Sequence, residues 1–515
     1  MQLHWKFIEN AKRVGSKMAL FDTLSDTSFS YSQLFIASIM IKTFIDKYSS
    51  QFVGIMLPPG AGSILSILGT QMSGKVPVMI NYATGAIDNA IYAQNKCHFR
   101  MIITSRKLLD KLELKPIKGM IFIEDWLEKL STSMKLKALI KSKLPVSLLT
   151  AFIHQGSIDD VAVILFTSGS EKEPKAVQLT HRNILHNVTT IPEIIDVGEE
   201  DIFIANLPYF HVFGLTINLW VPLSYGASIV AMPNPLDYKT ICEAIKKHNV
   251  SIMVGTPTFF WGYAKRADED TFKSVRYAIA GADKLPLMVN DTYIEKFNLK
   301  IFEGYGATET SPVISTNTPT YYKLGSVGKP LPGVKVKICD IDTGKELPVG
   351  SEGKILVKGE LVMKGYYNDL EETSVRIRDG WYDTGDIGVI DEDGFLWHKG
   401  RLKRFVKVAG EMISLVKVEH LLESVIPEGS YCCVVDVPNF EKGADIVACV
   451  TTKQFDKKTM LKHLRGKLPP MAIPKELYVM DELPMMASGK VNFREVEKMV
   501  RNMVNEQPKE KEKKR

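Results

Sequence analysis

Through its first three hundred residues the chain alternates short apolar runs with helix-patterned segments, and this restricts the fold more than any other feature. Residues 52–57, 76–80, 228–232, 252–254, 277–280 and 300–302 read as strands, while 64–72, 241–248 and 287–297 read as helices. Strand, crossover helix, strand is the grammar of parallel α/β sheets, which take ligands at the carboxyl ends of their strands. From Gly333 the texture changes to short strands at 334–338, 354–357, 388–390 and 395–398, with an Asp393-Gly394 turn. That pattern predicts an antiparallel, barrel-like region. Beyond Gly400, the segments 416–425, 432–435, 446–451 and 458–468 predict a small α+β domain. The expected fold class is therefore α/β: a large N-terminal domain over 1–400, then a small mobile C-terminal lid over 401–515.

Composition narrows the function classes. A length of 515 residues exceeds one small core, and 45% apolar with 24% charged residues is ordinary for a globular chain. The net charge of +6 is spread thinly, without lysine and arginine interleaved with aromatics, which excludes a nucleic-acid footprint. The one dense basic run, 509–515, reads as a solvated tail. Six cysteines show no metal-site spacing, and Cys432 and Cys433 fall in an apolar run as buried thiols do. A reducing, cytoplasmic location is expected, since residues 1–14 lack the apolar core of a signal peptide. Residues 202–236 contain no Lys, Arg, Asp or Glu, a length sufficient to span a bilayer. Pro208, Gly214, Pro222, Gly226 and Pro233 interrupt them, however, so a buried helix with flanking loops walling an apolar pocket is expected instead.

Five segments carry more glycine, hydroxyl, aromatic and charged residues than connectors need. The first is Thr167-Ser168-Gly169-Ser170-Glu171-Lys172-Glu173-Pro174-Lys175. Its hydroxyls, turn-forming backbone and cation suit a polyphosphate, although the spacing is not that of a Walker loop and such turns are often plain surface. Asn206-Leu207-Pro208-Tyr209-Phe210-His211-Val212-Phe213-Gly214 sets a histidine among aromatics, as a satisfied core residue or as the gate of an apolar pocket. In Glu303-Gly304-Tyr305-Gly306-Ala307-Thr308-Glu309-Thr310 the glycines flank a ring suited to stacking on a base. Thr308 and Glu309 there offer a hydroxyl to phosphate and a carboxylate to Mg²⁺. Gly380-Trp381-Tyr382-Asp383-Thr384-Gly385-Asp386 presents an aspartate, after a strand or turn, that could accept from ribose hydroxyls or be an ordinary turn residue. Leu483-Pro484-Met485-Met486-Ala487-Ser488-Gly489-Lys490 ends on a lysine that alone would read as solvated surface.

In this order and at these separations the segments resemble the acyl-adenylate-forming superfamily of acyl-CoA synthetases, luciferases and peptide-synthetase adenylation domains, over nearly the whole chain. A narrower likeness rests on Leu165-Phe166-Thr167-Ser168-Gly169-Ser170-Glu171, Gly281-Ala282-Asp283-Lys284-Leu285, Gly400-Arg401-Leu402-Lys403-Arg404-Phe405-Val406-Lys407 and Gly410-Glu411-Met412-Ile413-Ser414-Leu415. These resemble the acyl-[acyl-carrier-protein] synthetase half of bacterial 2-acylglycerophosphoethanolamine acyltransferase/acyl-ACP synthetases. In those proteins an acyltransferase domain precedes the synthetase; the resemblance here is to the synthetase half, and no such domain is expected ahead of it.

The resemblance implies ATP-dependent, Mg²⁺-assisted activation of a fatty acid to an acyl-adenylate, then transfer to the phosphopantetheine thiol of acyl carrier protein. The alternatives are coenzyme A as acceptor, or a non-catalytic acyl or nucleotide sensor. It further implies a peripheral contact with the inner membrane face and a separate acyltransferase as partners. Thr167, Ser168, Gly169, Ser170 and Lys175 would hold the β- and γ-phosphates. Gly281, Ala282 and Tyr305 would bracket adenine, with Glu303, Gly304 and Gly306 alongside. Thr308 would touch the α-phosphate, Glu309 would ligate Mg²⁺, and Asp386 and Arg401 would bind the ribose. Lys490 would bridge the carboxylate and the α-phosphate, where two anions must meet. Lys403 falls at the hinge position, and Lys407 and Gly410 at the thiol tunnel. His211, Phe213 and Gly255-Thr256-Pro257-Thr258-Phe259 match positions beside the acyl chain or its carboxylate. Many relatives read T-S-G-S-T-G-x-P-K-G in the first segment; here Glu171-Lys172 and Ala176 replace the later Thr-Gly pair and the final glycine, which predicts a stiffer loop.

Overall fold

The computed structural model describes residues 1–167, 174–408, 411–427, 429–439, 443–485 and 491–506. They fold as two compact units: 1–337 with 356–384 and 390–397, and 338–355 with 385–389 and 398–515.

The first unit is built on two sheets. In the nine-stranded sheet, Ile301–Gly306, Tyr277–Ala280, Ile252–Gly255, Ile202–Ala205, Ser228–Ala231 and Met18–Asp22 run parallel in that spatial order, with antiparallel strands at both edges. In the seven-stranded sheet the parallel core is Val161–Thr167, Val76–Met79, Phe52–Ile55, Ile102–Thr104 and Met120–Phe122. The strands are Val- and Ile-rich and mostly buried, as parallel strands covered on both faces must be. The connecting helices start where a side chain can take an orphan amide. Ser30 with Gln33 caps Tyr31–Ile45, Thr180 with Asn183 caps His181–Ile194, and Asp237 caps Tyr238–His248. Helix Ala61–Met72 is almost wholly buried, and its Ser66 and Thr70 hydroxyls donate back to the carbonyls of Gly62 and Ser66 at 2.7 and 2.6 Å. Such back-bonding keeps the hydroxyls satisfied in an apolar setting.

The uncharged stretch 202–236 is buried as expected, but it is not one helix with loops. Strand Ile202–Ala205 leads to a π-helical segment Gly214–Trp220, a short helix Val221–Tyr225 and strand Ser228–Ala231. Gly226, at φ +75°, ends the helix so that the chain can re-enter the sheet. No helix among the described residues is long and apolar enough to cross a membrane.

The region after Gly333 consists of short strands, including Lys335–Cys339, Gly353–Lys358, Ile377–Arg378 and Leu396–Arg401, which supply the barrel-like part of the fold. The strand expected at 388–390 is the end of a ten-residue strand, Trp381–Ile390. The second unit contains a three-stranded sheet, Cys432–Asn439, Gly443–Val450 and Glu476–Val479, with helices Leu415–Glu423, Lys457–Leu464 and Phe493–Glu506. The large α/β part with parallel sheets and the small α+β part match the expected fold class.

Candidate active site

The nine-stranded sheet reverses its strand order beside Ile202–Ala205. The chain goes from there to Ser228–Ala231 on one side and then crosses to Ile252–Gly255 on the other. At such a switch point the crossover connections leave on opposite faces and open a crevice at the carboxyl strand ends. The sequence motifs lie at those ends. Asn206–Phe213 follows Ile202–Ala205, Thr256 follows Ile252–Gly255, Gly281–Leu285 follows Tyr277–Ala280, and Ala307–Thr310 follows Ile301–Gly306.

Within this cluster the backbone is held closely. Gly281 N–H donates to the Gly255 carbonyl at 3.0 Å. A Cβ on Gly281 would meet the Phe213 ring at 3.1 Å, so Phe213 packs closely against the loop expected to face adenine. Ala282 takes a left-handed φ of +70°. Buried Glu303 accepts from Leu285 N–H at 3.0 Å and thereby braces that loop, and burial raises its carboxyl against the backbone donors. Tyr305 is buried and opposes Ser315 across the sheet. Gly306 admits no side chain, because a Cβ would come within 2.0 Å of the Pro312 carbonyl oxygen. His211 is exposed, its ring 4.5 Å from that of Phe210, so it is not a core histidine.

A second cluster forms where Val161–Thr167 pairs antiparallel with Lys175–Thr180, bringing Thr167 opposite Lys175. Strand Gly365–Tyr366 pairs with Val177 and Gln178 and carries Tyr366 alongside. The Tyr366 hydroxyl donates to Glu309 Oε1 at 2.8 Å, and the Glu309 carbonyl accepts from Met363 N–H at 2.8 Å. Burial, and then the Glu309 charge, push the Tyr366 phenol up, so it stays protonated and remains a donor. Lys175 forms an ion pair with Glu372 and lies 5.3 Å over the Tyr366 ring. Glu372 Oε1 also accepts from Arg376 Nε at 2.9 Å. Burial alone would raise the Glu372 carboxyl, but Lys175 and Arg376 hold it below the usual carboxylate range. Thr308 and Glu309, on a single 3₁₀ turn, are half-buried.

In the second unit, buried Asp386 lies 3.5 Å from Arg401 Nε and 3.7 Å from His398 Nε2. It stands in the middle of Trp381–Ile390 rather than on a turn, so the extended backbone fixes its direction. Lys403 is on the 3₁₀ turn Leu402–Arg404. Ser168, Gly169, Ser170, Glu171, Lys172, Gly410, Lys490 and the side chain of Lys407 lie outside the described residues.

The structure thus groups Phe213, Gly281, Gly304 and Glu303 in one place, and Thr167, Lys175 and Glu309 in another, within one unit. It adds Tyr366, Glu372 and Arg376, which the motifs did not single out. Their signal was available: Gly365-Tyr366-Tyr367-Asn368-Asp369 is another glycine-aromatic cluster ahead of a helix N-cap. The chemistry on display is anion handling: cations, a half-buried carboxylate with an ordered donor, and glycine-lined strand ends.

A family described as AMP-binding enzyme matches residues 7–367. The chain belongs to this family. A second match, the AMP-binding enzyme C-terminal domain, covers residues 417–490. Among curated relatives, 4-coumarate–CoA ligase 1 of Petroselinum crispum is 30% identical over 95% of this chain and 92% of its own length. The long-chain-fatty-acid–CoA ligase of Bacillus subtilis (strain 168) is 33% identical over 64% of this chain and 60% of its own. Among solved structures, ATP-bound MatB from Rhodopseudomonas palustris superposes with a TM-score of 0.84 at 24% identity, covering 98% of this chain and all of that one. MenE from Bacillus subtilis, in complex with ATP and magnesium ion, gives 0.82 at 23% identity over 96% and 99% of the two chains.

The protein is accordingly an AMP-forming acid–thiol ligase, an enzyme rather than a nucleotide sensor, and ATP and Mg²⁺ are its cofactors. The donor set fits this AMP-binding enzyme. Mg²⁺ in nucleotide sites is held by one or two carboxylates together with phosphate oxygens and water, and Glu309, which shares Tyr366 as a neighbour with Lys175, would supply one such carboxylate.

Proposed function

We propose that this enzyme activates a fatty acid and transfers it to the phosphopantetheine thiol of coenzyme A. The observation that carries the acyl class is the buried, uncharged wall 202–236 next to the strand-end cluster, together with the likeness to ligases named for long-chain fatty acids. Each CH₂ buried in such a setting contributes roughly 0.8 kcal/mol, so a long tail gains the most. The acceptor reading draws on relatives that are CoA ligases by name. Acyl carrier protein, whose thiol is the same phosphopantetheine, is the second reading. It draws on the Glu171-Lys172 loop sequence and the segments from Gly400 to Leu415.

The residue roles follow from charge. Lys175 and the hydroxyls of 167–170 attract the β- and γ-phosphates; Thr308 faces the α-phosphate; Lys490 offsets the repulsion between carboxylate and phosphate as charge builds. Glu309, oriented by Tyr366, would hold Mg²⁺, which neutralises phosphate charge when bound. Asp386 and Arg401 take the ribose hydroxyls, while Gly281, Ala282 and Tyr305 frame the base. The boundary at 400/401 and a hinge at Lys403 belong to the same proposal, as does a tunnel for the thiol beside Lys407 and Gly410. His211 stands at the mouth of the acyl site, where its exposure lets it gate.

Thioester formation, followed with purified coenzyme A and with purified carrier protein across a ladder of fatty acids, tests both halves. Turnover with CoA that rises with chain length is expected. Turnover confined to carrier protein would reverse the acceptor, and a preference for short or aromatic acids would reverse the substrate class.

A further inference from the structure

Helix Thr132–Lys143 has its polarity inside out. Its packing face is narrow: Met134 is half-buried against the core, Ala138 is 3% exposed and Ser142 7%. On the opposite face Leu136 and Ile140, one turn apart, are 55% and 57% exposed, with Leu139 beside them. A helix that only had to pack on the domain would turn these side chains inward. The chain continues the same surface through Val146, Leu148 and Phe152, all exposed, while the neighbouring Leu149 and Ile153 are buried and anchor it. Six large apolar side chains are thus exposed within seventeen residues, the kind of concentration that marks an interaction site rather than scattered surface.

The charges carried by this segment have one sign, and Asp46 of helix Tyr31–Ile45's C-terminal end, beside Lys141 and Phe152, is already paired with Lys42 at 2.6 Å. From Lys129 to Ile158 the sequence contains no aspartate or glutamate, yet it carries Lys129, Lys135, Lys137, Lys141 and Lys143. Lys135 and Lys137 flank the Leu136–Ile140 stripe at helical angles of roughly 100° per residue, and Lys143 lies on the stripe itself. The element is also held firmly. Lys12 of the N-terminal helix donates to the Ser142 carbonyl and, at 2.6 Å, to that of Leu144. Apolar side chains ringed by lysines on a fixed helix are what an interfacial segment presents to anionic headgroups over acyl chains. A second copy of this chain fits poorly, because a two-fold interface would set the lysines against their own copies.

We propose that helix Thr132–Lys143 and the following segment to Phe152 dock this enzyme on an anionic lipid bilayer surface. The inference stands on this surface alone, independent of the substrate reading.

Co-sedimentation of the full-length protein with phosphatidylcholine vesicles, with and without a phosphatidylglycerol fraction, is the test. The wild type is expected to pellet with the anionic vesicles and to be released by salt. The double variant L136S/I140S should lower the vesicle affinity about a hundredfold, and K135Q/K137Q/K143Q about as much. Both should retain wild-type pyrophosphate release on detergent-dispersed fatty acid, which shows that they fold. No pelleting of the wild type, equal binding to neutral and anionic vesicles, or unchanged binding by either variant would overturn the proposal. So would sedimentation velocity showing a wild-type dimer that L136S/I140S dissociates, which would make the face a self-interface.

Discussion

At the scale of single residues, the Glu309–Tyr366 contact is the most informative. A carboxylate that is to hold Mg²⁺ needs its oxygens aimed, and a phenol kept protonated by burial is a donor that will not compete for the metal. Tyr366→Phe removes that donor and little else. The Mg²⁺ concentration for half-maximal ATP–pyrophosphate exchange should rise by about tenfold, the lower end for loss of an outer-sphere partner, while the KM for fatty acid stays put. An unchanged Mg²⁺ requirement would mean that Tyr366 does not orient a metal ligand. The sequence made Thr308 and Glu309 visible because their types name their chemistry. Tyr366, Glu372 and Arg376 were less visible because they act by proximity: they lie some sixty to two hundred positions from Glu309 and Lys175, and only the pairing of Gly365–Tyr366 with Val177 and Gln178 brings them there. His211 shows the opposite limit, since aromatic neighbours in sequence suggested burial and the loop after Ile202–Ala205 turned it outward.

At the scale of elements, the N-terminal helix Leu3–Arg13 is tied down by neutral histidines. Fully buried His4 faces the His154 carbonyl through Nε2 at 3.0 Å, and Leu3 N–H donates to Nδ1 of buried His181 at 3.2 Å. Burial lowers His4 to about 4; burial, and then the charges of His4, His154 and the N-terminus, lower His181 well below its ordinary value. Both folded values lie below the unfolded one, so the unfolded chain binds protons first. Stability is therefore full above pH 6.5 and falls as pH drops from there through about 4. Each group contributes a slope of up to about 1.4 kcal/mol per pH unit in that window. Urea unfolding between pH 7.5 and 5, values spanning about the upper part of that window, should show this fall for the wild type and a shallower one for His4→Gln, which keeps a donor for His154. Equal slopes would remove His4 as a cause.

Elements themselves were legible wherever apolar period and length agreed. Strand Tyr277–Ala280 and helix Leu287–Phe297 have the expected bounds, and most others differ by a residue or a few at their ends. The segment 202–236 was harder. Its lack of charge announced burial but carried no period, and the π-helical start at Gly214 depends on close packing that no local pattern encodes: a Cβ there would come within 2.5 Å of the Pro208 carbonyl oxygen. Helix Thr132–Lys143 carries no clear apolar period in its sequence, and only its burial shows which face is turned out.

At the scale of the whole molecule, each unit has its own apolar core, one running from Leu3 to Tyr382, the others within Val408–Val500. Separate cores let one unit change orientation without unpacking either, and the two-step reaction proposed here makes use of that freedom. On the proposed reading, adenylation needs Lys490 at the phosphate, whereas thiol transfer needs the segment of Lys407 and Gly410 in its place. Two substitutions separate these demands. Lys490→Ala should slow acyl-AMP formation by about two orders of magnitude, as loss of a transition-state donor does, and leave thioester formation from pre-made acyl-AMP within a fewfold of wild type. Lys403→Pro should do the reverse. A proline ring fixes φ near about −65° and takes away the rotation that a hinge has to absorb, so acyl-AMP should still form while its transfer to the thiol fails. Following both half-reactions in rapid-quench experiments decides the matter. If either substitution slowed the two steps alike, the steps would share one arrangement of the units, and the hinge at Lys403 would have to be given up.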